Sequence, residues 1–300
     1  MKKLILAAFL FVSTMSTNTL ADIKMGIILG FTGPIESLTP AMAASAELAF
    51  NEASDSGKLL GGQKISVERA DSTCVDSAAA TTAAEGLVSN GVVAIMGADC
   101  SGVTGAIATN VAVPNGVVMI SPSATSPGLT DLNDNGYFFR TAPSDARGGQ
   151  ILADITKDRK VKSVAITYTN NDYGKGLADV YKAAVEAHGI KVTTVAAHED
   201  GKADYSAEVA TLASAGGDAV AVIGYIDQGG KGIIQASLDS GAFDKFILSD
   251  GMIGDSLTDN FGKALNKSFG SLPGSTGKGA GVFADVAKAG GIDSSGPYTG

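Results

Sequence analysis

The chain has 300 residues, 45% of them hydrophobic and 18% charged, which describes an ordinary globular protein with enough apolar residues for a large core. Aromatic residues make up 6% and tryptophan is absent, so a stacking platform for nucleic acid or polysaccharide is not expected. The formal charge of −9 argues against binding to nucleic acid or to an anionic membrane surface.

Residues 1–21 read as a secretory signal. Lys2 and Lys3 form its basic start, Leu4 to Val12 its apolar centre and Thr19-Leu20-Ala21 a small-x-small cleavage site. The apolar run is too short to span a bilayer. Cleavage after Ala21 removes two lysines, and the formal charge moves from −9 to −11. The expectation is a soluble exported protein.

From Ile23 onward, short β-branched runs alternate with alanine-rich stretches of helical length. A first strand, Ile23 to Gly30, ends in Phe31-Thr32-Gly33-Pro34, and a helix follows over about 40–53. Ile65 to Ala70 is a second strand and Val75 to Ser89 a second helix, stopped by Asn90-Gly91. A third strand ends at Gly97, a helix runs over about 103–110, and a fourth strand covers Val117 to Ile120. Near-continuous apolar strands separated by helices predict parallel βαβ units.

The rhythm breaks between Thr130 and Pro143, which reads as the crossing into a second lobe. It then restarts, with strands at Val164 to Tyr168, Lys191 to Ala196, Ala219 to Ile223 and Phe246 to Leu248. The intervening helices are predicted over about 144–157, 176–187, 205–215 and 230–240. Past Gly254 the pattern fades, apart from a short helical stretch from Gly281 to Lys288. The fold class expected is α/β, with two doubly wound parallel-sheet lobes joined by a hinge. The organisation is read as 1–21 signal, 22–142 first lobe, 143–273 second lobe and 274–300 a return segment toward the first lobe.

The two cysteines, Cys74 and Cys100, suggest one disulfide in an exported chain, in preference to a metal pair or a redox motif. Two polar turns stand out. Asp99-Cys100-Ser101 and Ser121 to Thr125 each follow a predicted strand, at the sheet edge where α/β folds bind ligands.

Several features together resemble the periplasmic Leu/Ile/Val-binding proteins, the substrate-binding components of branched-chain amino acid ABC importers. They are the signal, the first strand running into Thr32-Gly33-Pro34, the Cys74 and Cys100 spacing, and Ser121-Pro122-x-Ala124-Thr125. Asn171-Asp172-Tyr173-Gly174, Ser249-Asp250-Gly251 and Gly296-Pro297-Tyr298-Thr299-Gly300 complete the set. The resemblance covers the whole chain after residue 21 in order, and implies the type I periplasmic binding protein fold closing over a ligand. It puts the disulfide on Cys74 and Cys100, carboxylate contacts on Ser101, Ser123 and Thr125, and the ammonium-binding acid on Asp250. Tyr173 and Tyr225 become cleft tyrosines. It implies membrane permease subunits as partners, a periplasmic location, a monomer, and no cofactor, metal or catalytic residue. The family continues well beyond the Gly-Pro-Tyr-Thr-Gly stretch, so the C-terminal part is expected to be missing here.

These residue types suit a zwitterion, which needs hydroxyl and backbone donors for its carboxylate and an acid for its ammonium. Without the resemblance, Ser101 reads as a helix N-cap, 123–127 as a turn, Asp250 before Gly251 as turn chemistry and Tyr173 as a half-buried ring. Phe31 and Glu36 are candidates for the rim of the cleft. His188 and His198 read as surface residues without a role.

An enzyme is the rival class, because the doubly wound fold hosts many. Yet the glycine-rich stretch from Gly224 to Gly232 lacks the G-x-G-x-x-G spacing, and neither a Walker A sequence nor a G-x-S-x-G elbow is present. A closer rival keeps the receptor and changes the ligand to an amide, a polar amino acid or an aromatic acid.

Overall fold

The computed structural model describes residues 22–274 and 278–299, so the signal reading over 1–21 lies outside the described residues. Ten strands and the helices between them build two five-stranded, all-parallel sheets. The first contains β1 (Ile23–Leu29), β2 (Ile65–Asp71), β3 (Ala94–Gly97), β4 (Val118–Ser121) and β5 (Phe138–Arg140), in the order β2-β1-β3-β4-β5. The second contains β6 (Ser163–Thr169), β7 (Lys191–His198), β8 (Ala219–Ile223), β9 (Phe246–Leu248) and β10 (Phe269–Gly270), in the order β10-β9-β8-β6-β7. Each order reverses once, between β1 and β3 and between β6 and β8. Crevices for ligands open at such switch points, at the carboxyl ends of the strands.

The helices are α1 (Thr39–Asp55), α2 (Ser77–Ser89), α3 (Ser101–Ile107), α4 (Val113–Asn115), α5 (Asp145–Asp158), α6 (Asp172–Ala187), α7 (Ser206–Ala215), α8 (Gly229–Ser240), α9 (Asp255–Phe261) and α10 (Lys278–Ala289). A π turn over Ala108–Ala112 joins α3 to α4 without a break. Side-chain caps start several helices. Asp76 accepts from the amides of Ala78 and Ala79 before α2, Ser144 from Ala146 before α5, and Asn171 from Gly174 before α6.

Helices on both faces bury the sheets, which is why the central strands are apolar throughout. All five residues of β8 are buried. The Cys74–Cys100 disulfide is formed and ties the loop after β2 to the start of α3. A crosslink closing a loop of this size stabilises by roughly 3 kcal/mol on the chain-entropy account.

The segment from Thr130 to Pro143 differs from its reading as a plain crossing. Phe138–Arg140 adds a fifth strand to the first sheet, in parallel register with β4, and the crossing follows it. Likewise α9 and the two-residue β10 continue the second lobe past Gly254. The last described residues come back to α1 and β1: Gly290 packs on Leu48, and Tyr298 joins the cluster of Ile27, Leu29, Met42 and Ala43.

Candidate functional site

Both polar turns of the first lobe are stitched to each other. Asp99 is buried behind β3, where it accepts the Gly30 amide (2.7 Å) and the Ser72 hydroxyl (3.0 Å) and so gathers the loops after β1, β2 and β3. Burial raises its pKa, and these donors oppose the shift. Cys100 is the N-cap of α3, but its sulfur is in the disulfide. Ser101 is therefore the first helical residue rather than the cap, and its hydroxyl accepts the Ser126 amide at 3.1 Å. Ser121 donates to the Ala98 carbonyl and Ser123 to the Asp99 carbonyl, the latter at 3.1 Å. Thr125 lies behind them, 1% exposed, with its hydroxyl beside the Asp145 carboxyl.

The second lobe supplies an acid held by phenols. Tyr173 stands in the first turn of α6, after β6, and Tyr225 follows β8 across that sheet's switch point. Their rings stack with centroids 5.2 Å apart and planes 16° from parallel. Asp250 follows β9, and its Oδ1 accepts the Tyr173 hydroxyl at 2.7 Å. The same phenol oxygen accepts the Gly251 amide at 3.1 Å. Residue 251 has to be glycine here, since a Cβ would sit 2.6 Å from the Gly224 carbonyl and 3.0 Å from that phenol.

Two further residues, absent from the sequence reading of the site, belong to this cluster. Tyr298 reaches from its place on the first lobe and donates to Asp250 Oδ2 at 2.6 Å. Asp145, the first residue of α5, is buried beside Thr125, whose carbonyl accepts its amide at 2.9 Å. Burial, reinforced by the Asp250 charge, pushes the Asp145 carboxyl up to about 8, while Thr125 and Arg140 pull it down. Burial raises Asp250 as well, and the Tyr298 and Tyr173 hydroxyls oppose that rise. An acid in a helix's first turn is ordinary capping chemistry, which hid Asp145. The Gly-Pro-Tyr signal was legible, but nothing linked Tyr298 to Asp250.

A cavity of about 30 Å³ lies between the lobes. Ser101, Ser123, Tyr173, Tyr225, Asp250 and Tyr298 line its polar side, and Ile35, Leu38 and Met42 form an apolar wall. Thr125 is set back from this lining, and Phe31 and Glu36 do not reach it. Phe31 instead lies under the Arg69 guanidinium, 5.4 Å from its centre. The loop after β1 also clasps the second lobe. The Ser37 amide donates to Asp227 Oδ2 (2.9 Å), and the Asp227 amide donates to the Pro34 carbonyl (3.0 Å).

His198 is not a surface residue. It ends β7 at 2% exposure, with Nδ1 2.8 Å from the Thr167 hydroxyl and its ring edge-on to Tyr205. Burial pushes its pKa down to about 4. His188 is partly exposed and pairs with Asp154 at 2.7 Å.

With this geometry in hand, a family model described as "Periplasmic binding protein" matches residues 22–277. The chain belongs to the periplasmic binding protein family. Among its relatives, Leu/Ile/Val-binding protein homolog 3 of Brucella melitensis is 34% identical over 211 residues, which is 70% of this chain and 56% of that protein. This periplasmic binding protein therefore spans little more than half the length of that relative. The leucine-, isoleucine-, valine-, threonine-, and alanine-binding protein of Pseudomonas aeruginosa is 31% identical over 254 residues, 84% of this chain and 66% of that one. A similar solved structure is the branched-chain amino acid transporter substrate binding protein LivJ of Streptococcus pneumoniae in complex with isoleucine. It aligns with a TM-score of 0.76 at 25% identity, covering 89% of this chain and 77% of that one. The two parallel sheets agree with this type I periplasmic binding protein architecture.

Proposed function

We propose that this protein is the substrate-binding component of an ABC importer, which captures an α-amino acid with an aliphatic, branched side chain between its lobes and delivers it to membrane permease subunits. The observation that carries the reading is Asp250. It is an acid of the second lobe, held by one phenol from each lobe, across one cavity from the Ser101 and Ser123 hydroxyls of the first. Such a pair of faces suits a zwitterion. The Ser101 hydroxyl, which accepts the Ser126 amide and keeps its own proton to donate, receives the carboxylate, and Asp250 takes the ammonium in a charge-assisted hydrogen bond. Ile35, Leu38 and Met42 supply the apolar wall for the side chain, and burying a leucine-sized group contributes about 2–3 kcal/mol. The relatives' names point the same way.

A space of about 30 Å³ is far below the few hundred Å³ usual for ligand pockets, so the lobes must part to admit the ligand and close over it. The ligand favours the closed form because its contacts come from both lobes. On this reading the protein works in the periplasm as a monomeric carrier rather than as an enzyme, after loss of the signal over 1–21.

A thermal-shift panel of amino acids, amides and aromatic acids tests the proposal. Stabilisation by leucine, isoleucine or valine is expected. Stabilisation only by a ligand that lacks an amino group overturns it. Asp250→Asn should weaken amino-acid binding by tenfold or more, since hydrogen bonds to charged groups are worth about 1.5–3 kcal/mol. Unchanged affinity in that variant would reject the site.

A further inference from the structure

The cavity that gathers Asp250 and the two serines is the smaller of two spaces lined by both lobes. A chamber of about 440 Å³ lies back to back with it, within the range usual for small-molecule pockets. The chain passes from one space to the other at two points. Asp250 and Gly251 line the small cavity and Met252 lines the chamber, while Pro297 lines the chamber and Tyr298 the cavity. Among the described residues, Leu38 alone lines both.

Hydrogen bonds hold the backbone around Leu38. Its amide donates to the Ile35 carbonyl (2.9 Å), the Ser37 amide to Asp227 Oδ2 (2.9 Å) and the Thr39 hydroxyl to the Gly30 carbonyl (3.0 Å). The Leu38 side chain is half-buried and stands between the two spaces. On the chamber side it leans on Gly254, where a Cβ would sit 2.9 Å from Leu38 Cδ2.

The chamber suits hydrocarbon. Leu248, Met252, Leu257 and Pro297 form a buried floor, and Phe269 adds a half-buried ring. No lysine or arginine lines it among the described residues, and its acids, Asp255 and Asp293, are exposed. The buried part therefore has no charged partner to offer, and a charged tail placed there would lose its water without compensation.

We propose that Leu38 sets the length of side chain the protein accepts: it partitions one longer apolar site, and the chamber behind it is a subsite for straight aliphatic chains that the partition shuts off. This deepens the amino-acid reading of the cleft and rests on it. A ligand's side chain ends against Leu38, so short branched chains fill the space in front of it and longer straight ones must displace it.

Isothermal titration of L-norvaline, L-norleucine, L-α-aminoheptanoate and L-α-aminooctanoate into the full chain tests this. Affinity for the wild type should stop rising at norleucine and then fall. In Leu38→Ala the two spaces join, and each further methylene should add a factor of about four in affinity, the worth of one buried methylene. L-α-aminooctanoate should then bind the variant at least about tenfold more tightly than the wild type, since two such methylenes are gained. Isoleucine should bind the variant several-fold more weakly, because it loses a wall contact.

Gly254→Ala works in the opposite sense and leaves the core intact. Its backbone is extended, at φ 175°, and the new methyl meets only the ends of the Leu38 and Ile226 side chains. Leu38 is pushed toward the cleft, and the preference for isoleucine over alanine should shrink. If Leu38→Ala does not fold, this variant decides, and an unchanged isoleucine-to-alanine ratio overturns the partition. The same length preference in wild type and Leu38→Ala overturns it too and leaves the amino-acid reading standing. Failure of every amino acid to bind the wild type removes that reading and the partition together.

Discussion

The hydroxyl of Tyr298 donates to Asp250 Oδ2 at 2.6 Å, although the tyrosine ring belongs to the apolar cluster of the first lobe and the acid belongs to the second. The contact joins the two halves of the cleft at the group assigned to the ligand's ammonium. Tyr173 holds the other oxygen of the same carboxylate, so Asp250 is fixed in one orientation before any ligand arrives.

Tyr298→Phe removes only the hydroxyl and keeps the ring in its cluster. The lost bond is to a carboxylate, worth about 1.5–3 kcal/mol where it is buried. The ligand-free protein should therefore spend more of its time with the lobes apart. Small-angle X-ray scattering of the empty variant should give a larger radius of gyration than the wild type. Saturation with isoleucine should restore the wild-type value. Equal radii in the empty state would mean that the phenol does not hold the lobes together.

Asp227 makes the matching connection on the other side. Its carboxylate accepts the Ser37 amide and, at 3.1 Å, the Ser256 hydroxyl, while its own amide donates to Pro34. Leu38, one residue beyond Ser37, packs against all three apolar clusters, so the loop after β1 is anchored in both lobes. Asp227→Ala leaves the Ser37 amide without its acceptor and keeps the cleft-lining residues untouched. Ligand release should quicken by about five- to tenfold, in line with about 1 kcal/mol for one such bond. Stopped-flow displacement of bound isoleucine measures it, and an unchanged rate would remove this loop from the closing movement.

The sheets were legible because strands buried on both faces must be apolar throughout. Val164 to Tyr168 and Ala219 to Ile223 announce themselves that way, and glycine or a cap marks the helices between. β5 and β10 were not legible, since strands of three and two residues are too short to show any periodicity. Within the site, Ser101, Ser123, Tyr173, Tyr225 and Asp250 were singled out and fall around one cavity, while Thr125 sits behind it. Asp145 and Tyr298 were passed over because their meaning is tertiary. Tyr298 meets an acid 48 positions away in the chain, and no local pattern encodes that. His198 was misread because a histidine at a strand end looks exposed. Close packing of Gly224 and Gly229 over its ring is what buries it.

The Cys74–Cys100 bond holds the start of α3, and with it Ser101, against the loop after β2. Replacing both cysteines by serine should lower unfolding stability by about 3 kcal/mol, chiefly through the greater freedom of the unfolded chain. Guanidinium denaturation of oxidised wild type and the double variant gives the difference directly. A loss below about 1 kcal/mol would show that the Asp99 bonds to Gly30 and Ser72 hold this corner without the crosslink.

His198 sets an acid limit on stability that is separate from ligand binding. The folded protein keeps the ring neutral down to about 4, whereas in the unfolded chain it takes up a proton near 6.5. Between these values the unfolded state binds more protons, so this residue makes stability rise with pH. Its contribution is complete above 6.5 and is lost as pH falls toward 4, a change on the order of 3 kcal/mol. Asp145 acts in the opposite sense over the same range, because its folded carboxyl is raised and holds a proton that the unfolded chain has released. The wild-type profile alone therefore mixes the two. His198→Gln keeps a polar group for the Thr167 hydroxyl and cannot titrate. Urea unfolding of both proteins at steps from pH 7 to pH 4.5 should give a stability difference that narrows steadily as the solution is acidified. A difference that stays constant with pH would show that the His198 ring does not remain neutral in the folded protein.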